Sequence, residues 1–345
     1  MQERVRIQDI AEELGVSTAT VSNVIHGKTK KVSKETIKRV QELLEKRAYI
    51  PSMAGILLAQ NDSRVIGVIV NDHVKYEGAV LEDAFLCSAL NALLHEIEKS
   101  GFFMMMKKTA QWNEIIRFAS MWNMEGLVLI GFCQEDYRQL RENMHIPFVV
   151  YDGYFEEDSR ICNLFVDNHG GGLQMGEYLY QMGHRKVLCI ADNHICMDQE
   201  RMEGCREGMK KGKTDFMKIP CIQEERMRFY EKHIHEIQRE YTAVFAVSDE
   251  YAIEFMHFLQ KKKINVPEDL SVAGFDDIPL CKKVCPELTT IGQDTRERAQ
   301  KALSALKKIK NKEPVEPLQI LKTKLMVRDS VKRIEIEPFE NGTVE

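Results

Sequence analysis

Apolar positions follow a helical rhythm over the first fifty residues and a strand-like rhythm after position 65. In "IQDIAEELG", Ile7, Ile10, Ala11 and Leu14 fall at i, i+3, i+4 and i+7, one stripe that predicts a short helix. Gly15 stands where a left-handed residue ends such a helix. Only Val16 then separates it from Ser17, a good N-cap for the next segment, "TATVSNVIHG". There Val21, Val24 and Ile25 repeat the helical spacing, although Thr, Val, Ser and Asn are mediocre helix formers. Helices joined so tightly must cross steeply and pack through Ala11, Leu14, Val16, Val21 and Val24, the helix-turn-helix arrangement. Gly27 closes the second helix, and Lys28 to Lys31 form a basic loop. Ser33 caps a third helix, in which Ile37, Val40, Leu43 and Leu44 supply the remaining core face.

From Val65 the pattern changes. "VIGVIV", "FFMMM", "GLVLIG", "PFVVYDG", "VLCIA", "AVFAV" and "LSVAGF" are short apolar runs separated by amphipathic stretches. Strands alternating with helices predict a parallel sheet covered on both faces. The length of this region predicts two such lobes, with ligand bound beyond the carboxyl ends of the strands. Residues at those ends are therefore the candidate binding groups: Asp152 after "FVVY", Ser248 and Asp249 after "AVFAV", Asp276 and Asp277 after "SVAGF". Arg201, read as opening the helix of "ERMEGCREGM", adds a cation. Carboxylates and an arginine around a dry cleft hold a polyhydroxylated or charged small molecule by charge-assisted hydrogen bonds. Asp249, Asp167 and Asn168 read better as helix N-caps, and Arg201 and Asp276 as ligand contacts.

Charge sharpens this division. Residues 1–60 hold ten Lys and Arg against seven Asp and Glu, whereas the whole chain has a net charge of −5. A basic head on an acidic body suits a nucleic-acid module joined to one that does not touch nucleic acid. The outward face of the second helix carries Thr18, Ala19, Ser22, Asn23 and His26, short groups that let a backbone approach base edges in the major groove. Lys28, Lys30, Lys31 and Lys34 are placed for phosphates. The 9 cysteines show no framework spacing and read as reduced thiols. No leader-like run opens the sequence, and no window approaches a membrane span, so a cytoplasmic protein is expected.

Two long stretches carry a family resemblance. "VRIQDIAEELGVSTATVSNVIHGKTKKVSKETIKRVQELLEKRAYIPSMAGILLA" resembles the DNA-binding head of the lactose-repressor (LacI/GalR) family. The marks are Asp9, Ala11, "VS-x-x-TVS", Val32-Ser33, Thr36 and the Tyr49 to Pro51 motif. The resemblance implies that Thr18, Ala19 and Asn23 face bases and that Ile7 and Ser22 contact phosphates. Ser17, His26 and Lys31 complete the expected DNA contacts. It also implies a hinge over "PSMAGILLA" that turns helical on DNA, with Met53, Ala54 and Leu58 at the minor groove and Leu58 as the wedge between base steps. Gly55 stands where the family usually has Ala. In the body, "VDNHGGG", "MGHRKVLCIAD", "ERMEGCREGM", "TAVFAVSDEYA", "VPEDLSVAGFDDIPL" and "PELTTIGQD" resemble the family's effector domain. Its sugar-contacting Arg and Asp map onto Arg201 and Asp276, a second Asp onto Asp152, and an aromatic beside the cleft onto Phe85. Ser248 replaces the usual Asn, the loop 71–82 is not the common short form, and "QEERMR" over 223–228 lacks the aromatic of relatives.

The expectation is thus an N-terminal all-α helix-turn-helix head plus an α/β two-lobed, periplasmic-binding-protein-like (type I) effector domain. Residues 1–50 form the head, 51–62 the hinge helix and linker, and 63–335 the effector-binding and dimerisation domain. Its partners are double-stranded operator DNA, a small polar effector such as a sugar or sugar derivative, and a second copy of the chain. The C-terminal "RIEIEPFENGTVE" has no leucine heptads and is interrupted by Pro338, which favours a homodimer. Other readings are weaker. No G-x-G-x-x-G opens a helix and no P-loop occurs, and "HGGG" has no G-x-S-x-G elbow beside it, so no cofactor and no catalysis are expected. Cys189, His194 and Cys196, or Cys281 and Cys285, lack zinc-ligand spacing. The intact head argues against a DNA-free sugar receptor.

Overall fold

The computed structural model describes residues 5–50, 63–132, 140, 143–144, 146–153 and 161–335. The chain divides into two compact units, Met1–Ser63 and Arg64–Glu345. The hinge positions Met53, Ala54, Gly55 and Leu58, and Pro338 in the tail, lie outside the described residues.

The first unit contains α1 (Ile7–Leu14), α2 (Thr18–Ile25) and α3 (Lys34–Lys46). Each boundary follows its local chemistry. Gly15 takes a left-handed φ of 66°, which lets the Val16 N–H return to the Ala11 carbonyl at 3.0 Å. The Ser17 hydroxyl accepts the Thr20 N–H at 3.1 Å, and Ser33 accepts the Thr36 N–H at 3.1 Å. Ile10, Ala11, Val21, Val24, Val40 and Leu43 form the buried centre, with Leu14, Val16, Ile25, Ile37 and Leu44 packed around it. Arg47 closes the bundle on Glu13 through Nε and Nη2 at 3.0 and 2.6 Å.

The second unit has two six-stranded sheets. One contains β1 (Val65–Val70), β2 (Phe103–Lys108), β3 (Gly126–Ile130), β4 (Phe148–Tyr151), β5 (Ile161–Val166) and β11 (Leu318–Leu321), in the order β11-β5-β4-β3-β1-β2. The other contains β6 (Lys186–Ala191), β7 (Lys213–Lys218), β8 (Ala243–Ala246), β9 (Ser271–Asp276), β10 (Thr289–Gln293) and β12 (Thr323–Met326), in the order β12-β10-β9-β8-β6-β7. All pairings are parallel except β12 against β10. That edge strand corrects the expectation of purely parallel sheets. It arrives by a one-residue step from β11, so no crossover helix sets its direction.

Among the described residues seven further α-helices with defined bounds complete the lobes. They are α4 (Ala84–Lys99), α5 (Trp112–Met121), α6 (Asn168–Gln181), α7 (Cys196–Gly208), α8 (Gln223–Glu240), α9 (Asp249–Lys261) and α10 (Thr295–Lys310). The chain crosses between lobes three times, from β5 to α6, from β10 to α10, and from β11 to β12. The first and last of these crossings are tied together: Asp167 donates its N–H to the Leu321 carbonyl at 2.8 Å, and the Thr323 hydroxyl bonds back to the Asp167 carbonyl. By the second crossing α10 follows a C-terminal-lobe strand yet buries Ala299, Ala302, Ala305 and Leu306 in the N-terminal lobe.

Candidate functional site

In the head, Ser17, Thr18 and Ala19 are exposed at the amino end of α2, and Ser22, Asn23 and His26 are half-buried along it. Lys28, Lys30, Lys31 and Lys34 are exposed on the segment that follows. The face holds no acidic residue between Gly15 and Lys34. Short hydroxyl and amide groups with flanking lysines can both read base edges and neutralise phosphates. The Ile7 side chain packs on the head core. Its N–H at the start of α1 is then the group available to a phosphate.

In the body, Arg201 organises a buried polar group in the C-terminal lobe. It lies in the second turn of α7 rather than opening the helix as the sequence suggested, because the helix starts earlier, at Cys196. The α6–α7 pair that carries it is built on glycine. A Cβ at Gly172 would sit 2.1 Å from the Arg201 carbonyl, one at Gly176 would sit 2.2 Å from that of Cys205, and one at Gly204 would sit 2.1 Å from that of His169. "HGGG" is thus a helix-packing face, which brings two backbones into contact and fixes where Arg201 leaves α7.

Arg201 is only 6% exposed. Its Nε donates to Asn168 Oδ1 at 2.9 Å and its Nη1 to the Val247 carbonyl at 2.6 Å. Its guanidinium lies 3.8 Å from the centre of the Phe275 ring. Asp276 Oδ1 approaches Nη1 at 3.5 Å and accepts from Gln293 Nε2 at 2.6 Å. The structure therefore brings together Asp276, picked as a strand end, and Arg201, picked on its helix. Asp276 has φ 126°, a region that favours glycine, so its backbone is held there by its surroundings.

The other expected positions divide. Ser248 is half-buried, and its hydroxyl caps α9 by accepting the Tyr251 N–H. Phe85, in the first turn of α4, packs on the core of the opposite lobe. Asp152 is engaged away from the Arg201 group: Arg298 Nη2 lies 2.6 Å from one carboxylate oxygen and the Val166 N–H donates to the other at 3.1 Å. Two capping assignments need correction. Asp167 caps α6, accepting the Gly170 N–H, but Asn168 is one residue inside the helix and holds Arg201 instead. Asp249 is likewise inside α9, because Ser248 takes the cap. Its buried carboxylate accepts from the Ile278 N–H at 2.9 Å, Cys281 Sγ and Thr290 Oγ1.

Sequence reasoning missed part of the cleft. Asp192 is 4% exposed at the end of β6, and the strand-end rule would have found it after "VLCIA". Asn193 Nδ2 bridges Asp192 at 2.8 Å and Asp198 at 2.7 Å. Against the effect of burial, the Tyr76 phenol and the carboxylates of Asp83, Asp198 and Asp192 raise the Lys75 ammonium above its ordinary value. The strand ends thus gather carboxylates, amides and a guanidinium, with the Phe275 ring stacked on the guanidinium. Among the described residues no group of three His, Cys, Asp or Glu could hold a metal ion. Nor is any helix among them long and apolar enough to cross a membrane.

Comparison with known proteins gives two family matches. The model for bacterial regulatory proteins of the lacI family matches residues 6–52, and that for a periplasmic binding protein-like domain matches residues 177–331. The HTH-type transcriptional repressor PurR of Vibrio cholerae serotype O1 (strain M66-2) is 28% identical over 338 residues, 94% of this chain and 98% of the relative. The chain belongs to the lactose-repressor family. This family member is a DNA-binding transcriptional repressor with an effector-binding domain, not an enzyme. Solved structures share the fold. The lac repressor dimer bound to operator and the anti-inducer ONPF superposes with a TM-score of 0.80 at 20% identity, over 96% of this chain and 100% of that one. The transcriptional regulator CelR in complex with cellobiose gives 0.66 at 22% identity, over 95% and 100%.

Burial also gives the repressor a pH signature. It pushes Asp276 up to about 8, with Asp249 adding to the shift and Arg201 opposing it. Burial raises Asp198 and Asp249 in the same way. A carboxyl raised in the folded state binds more protons there than in the unfolded chain, so stability falls as pH climbs through that window. His184, lowered by burial to about 4, works in the opposite direction but only below its ordinary 6.5. The ligand-free repressor should therefore lose thermal stability between pH 6.5 and about 8, and Asp276→Asn should flatten the slope. Calorimetry across that range checks both. A midpoint that rises with pH would contradict the assignment.

Proposed function

We propose that the repressor binds a palindromic operator as a homodimer through α2, and that a small polyhydroxylated molecule held between the lobes sets its affinity for that operator. The observation that carries the effector reading is the buried Arg201–Asp276 pair at the strand ends, with Asn168, Phe275 and Gln293 fixing it. A bidentate donor beside a carboxyl acceptor matches vicinal hydroxyls. The fold likeness to an operator-bound lac repressor dimer supports the homodimer, and the likeness to a cellobiose complex supports a sugar or sugar derivative. The assigned DNA contacts are Ile7, Ser17, Thr18, Ala19, Ser22, Asn23, His26 and Lys31 in the head, with Met53, Ala54 and Leu58 in the hinge. The effector contacts are Phe85, Arg201, Ser248 and Asp276, with Asp152 acting through Arg298.

Effector and operator then change each other's affinity by the same factor, a coupling of about 1–3 kcal/mol. The test is a thermal-shift screen of the full-length protein over sugars, sugar phosphates and nucleobases, followed by operator titration with each hit. Hits that bind the cleft yet leave operator affinity unchanged would remove the allosteric reading. For the head, Asn23→Ala should relax preference at one base pair per half-site, by about 1–3 kcal/mol, because Asn grips adenine through two hydrogen bonds. Selection from random DNA reads this directly. An unchanged motif with uniformly weaker binding would show that Asn23 does not read bases.

A further inference from the structure

Two segments of the body depart from the family pattern, the loop 71–82 and the "QEERMR" segment, and the structure places them against each other. We propose that Glu77, on the N-terminal-lobe loop, is a latch that holds the effector cleft shut by capping α8 of the C-terminal lobe. The contact is a hydrogen bond from the Gln223 N–H to Glu77 Oε1 at 2.9 Å, across 146 residues of sequence.

Both sides of the contact are built for it. Helix α8 has 18 residues, and its N-cap is Ile222, which supplies no capping side chain. Its first turn carries amide donors that "CIQEER" cannot satisfy locally. Glu77 supplies a carboxylate to that positive end. On the other side, the loop is anchored at its base and presented at its tip. Lys108 holds the Gly78 carbonyl at 3.2 Å and Asp72 at 3.1 Å, and Val80 is buried in the N-terminal-lobe core. Glu77 and Gly78 take successive positive φ values of 47° and 86°, which turn the chain at the tip. The same loop carries Lys75 and Tyr76 beside Asp192 and Asp198.

Beside it, the segment that in relatives supplies an aromatic is closed off. Arg226 is 6% exposed, with Nε and Nη2 on the Glu254 carboxylate at 2.6 and 2.8 Å and Nη1 on the Pro220 and Cys221 carbonyls. With every one of those donors engaged, Arg226 braces the amino end of α8 as a fixed seat for the latch.

The test is amide hydrogen exchange on the full-length, ligand-free repressor, comparing wild type with Glu77→Ala, Glu77→Gln and the control Glu82→Ala. Glu82 is exposed on the same loop, so its removal reports loss of charge alone. In Glu77→Ala the first turn of α8 and the loop 71–83 should both exchange faster, on the order of five- to tenfold, the value of a lost helix cap. Glu77→Gln, which keeps an acceptor oxygen, should fall between, and Glu82→Ala should match wild type. Unchanged exchange in Glu77→Ala, or faster exchange confined to the loop, would overturn the latch. A second arm rests on the effector reading above: any screen hit should dissociate faster from Glu77→Ala than from wild type, by a similar factor. An unchanged dissociation rate would show that the contact does not govern the cleft. A screen without hits would count against the effector reading and leave the exchange result to decide the latch.

Discussion

Arg201→Ala should abolish the effector response, weakening effector binding by about a hundredfold or more. Arg201 holds four groups at once: Asn168, the Val247 carbonyl, the Phe275 ring and Asp276. Removing a buried, hydrogen-bonded charged side chain costs about 2–5 kcal/mol, much of it the penalty of the groups left behind. Here one of those groups is Asp276, which is 7% exposed, and it can relieve part of the penalty by keeping its proton. The loss in folding stability should therefore be smaller than the loss in effector affinity, which has no such relief. Urea unfolding measures the first, and titration calorimetry with a screen hit the second. Ligand-free operator binding should stay near wild type if the free form binds DNA. A hit that binds Arg201→Ala as tightly as wild type would place the ligand elsewhere.

Gly172→Ala should destabilise the repressor by about 3 kcal/mol, the upper range for overpacking a core. The sign makes this informative, because Gly→Ala inside a helix ordinarily stabilises by about 1 kcal/mol. At Gly172 the new methyl would lie 2.1 Å from the Arg201 carbonyl, and a backbone atom cannot rotate away as a side chain can. Helices α6 and α7 would have to separate, carrying Arg201 off its partners. Stability and effector affinity should thus fall together, whereas Gly27→Ala, in the other unit at φ 68° and in open space, would touch only stability. Urea titration decides it, and a Gly172→Ala protein with an unchanged midpoint would refute the packing argument.

How much of this the sequence revealed depended on whether the deciding interaction was local. The head was legible throughout, because Gly15, Ser17 and Ser33 act on neighbours within a few residues. The central strands were legible from their unbroken apolar runs. β5, β7, β10, β11 and β12 were not among those runs. β7 reads "KTDFMK" and β11 reads "LQIL", edge strands with one face in solvent that tolerate polar residues. Asp249 was misplaced by one position, since Ser and Asp cap equally well and only the fold chooses Ser248. Asp276 emerged because parallel sheets put their polar residues at strand ends, whereas Arg201, on a helix, came from the family resemblance. The contact between Glu77 and Gln223 had no local signal, being visible only once two lobes face each other.

The threefold crossing between lobes also imposes an order on synthesis. The head is one contiguous stretch and is complete once its third helix has left the ribosome. The N-terminal lobe is not complete when its first five strands have emerged. It still lacks α10, whose alanines and Leu306 fill one face of its sheet, and β11, which pairs with β5 from Leu318 onward. Until then β5 presents an open strand edge, and the missing partners arrive only after the strands of the other lobe except β12 have been made. Long-range pairings of this kind close slowly. A nascent chain therefore carries a finished helical head well before either lobe of the body can close, and the N-terminal lobe waits on segments translated after most of its neighbour.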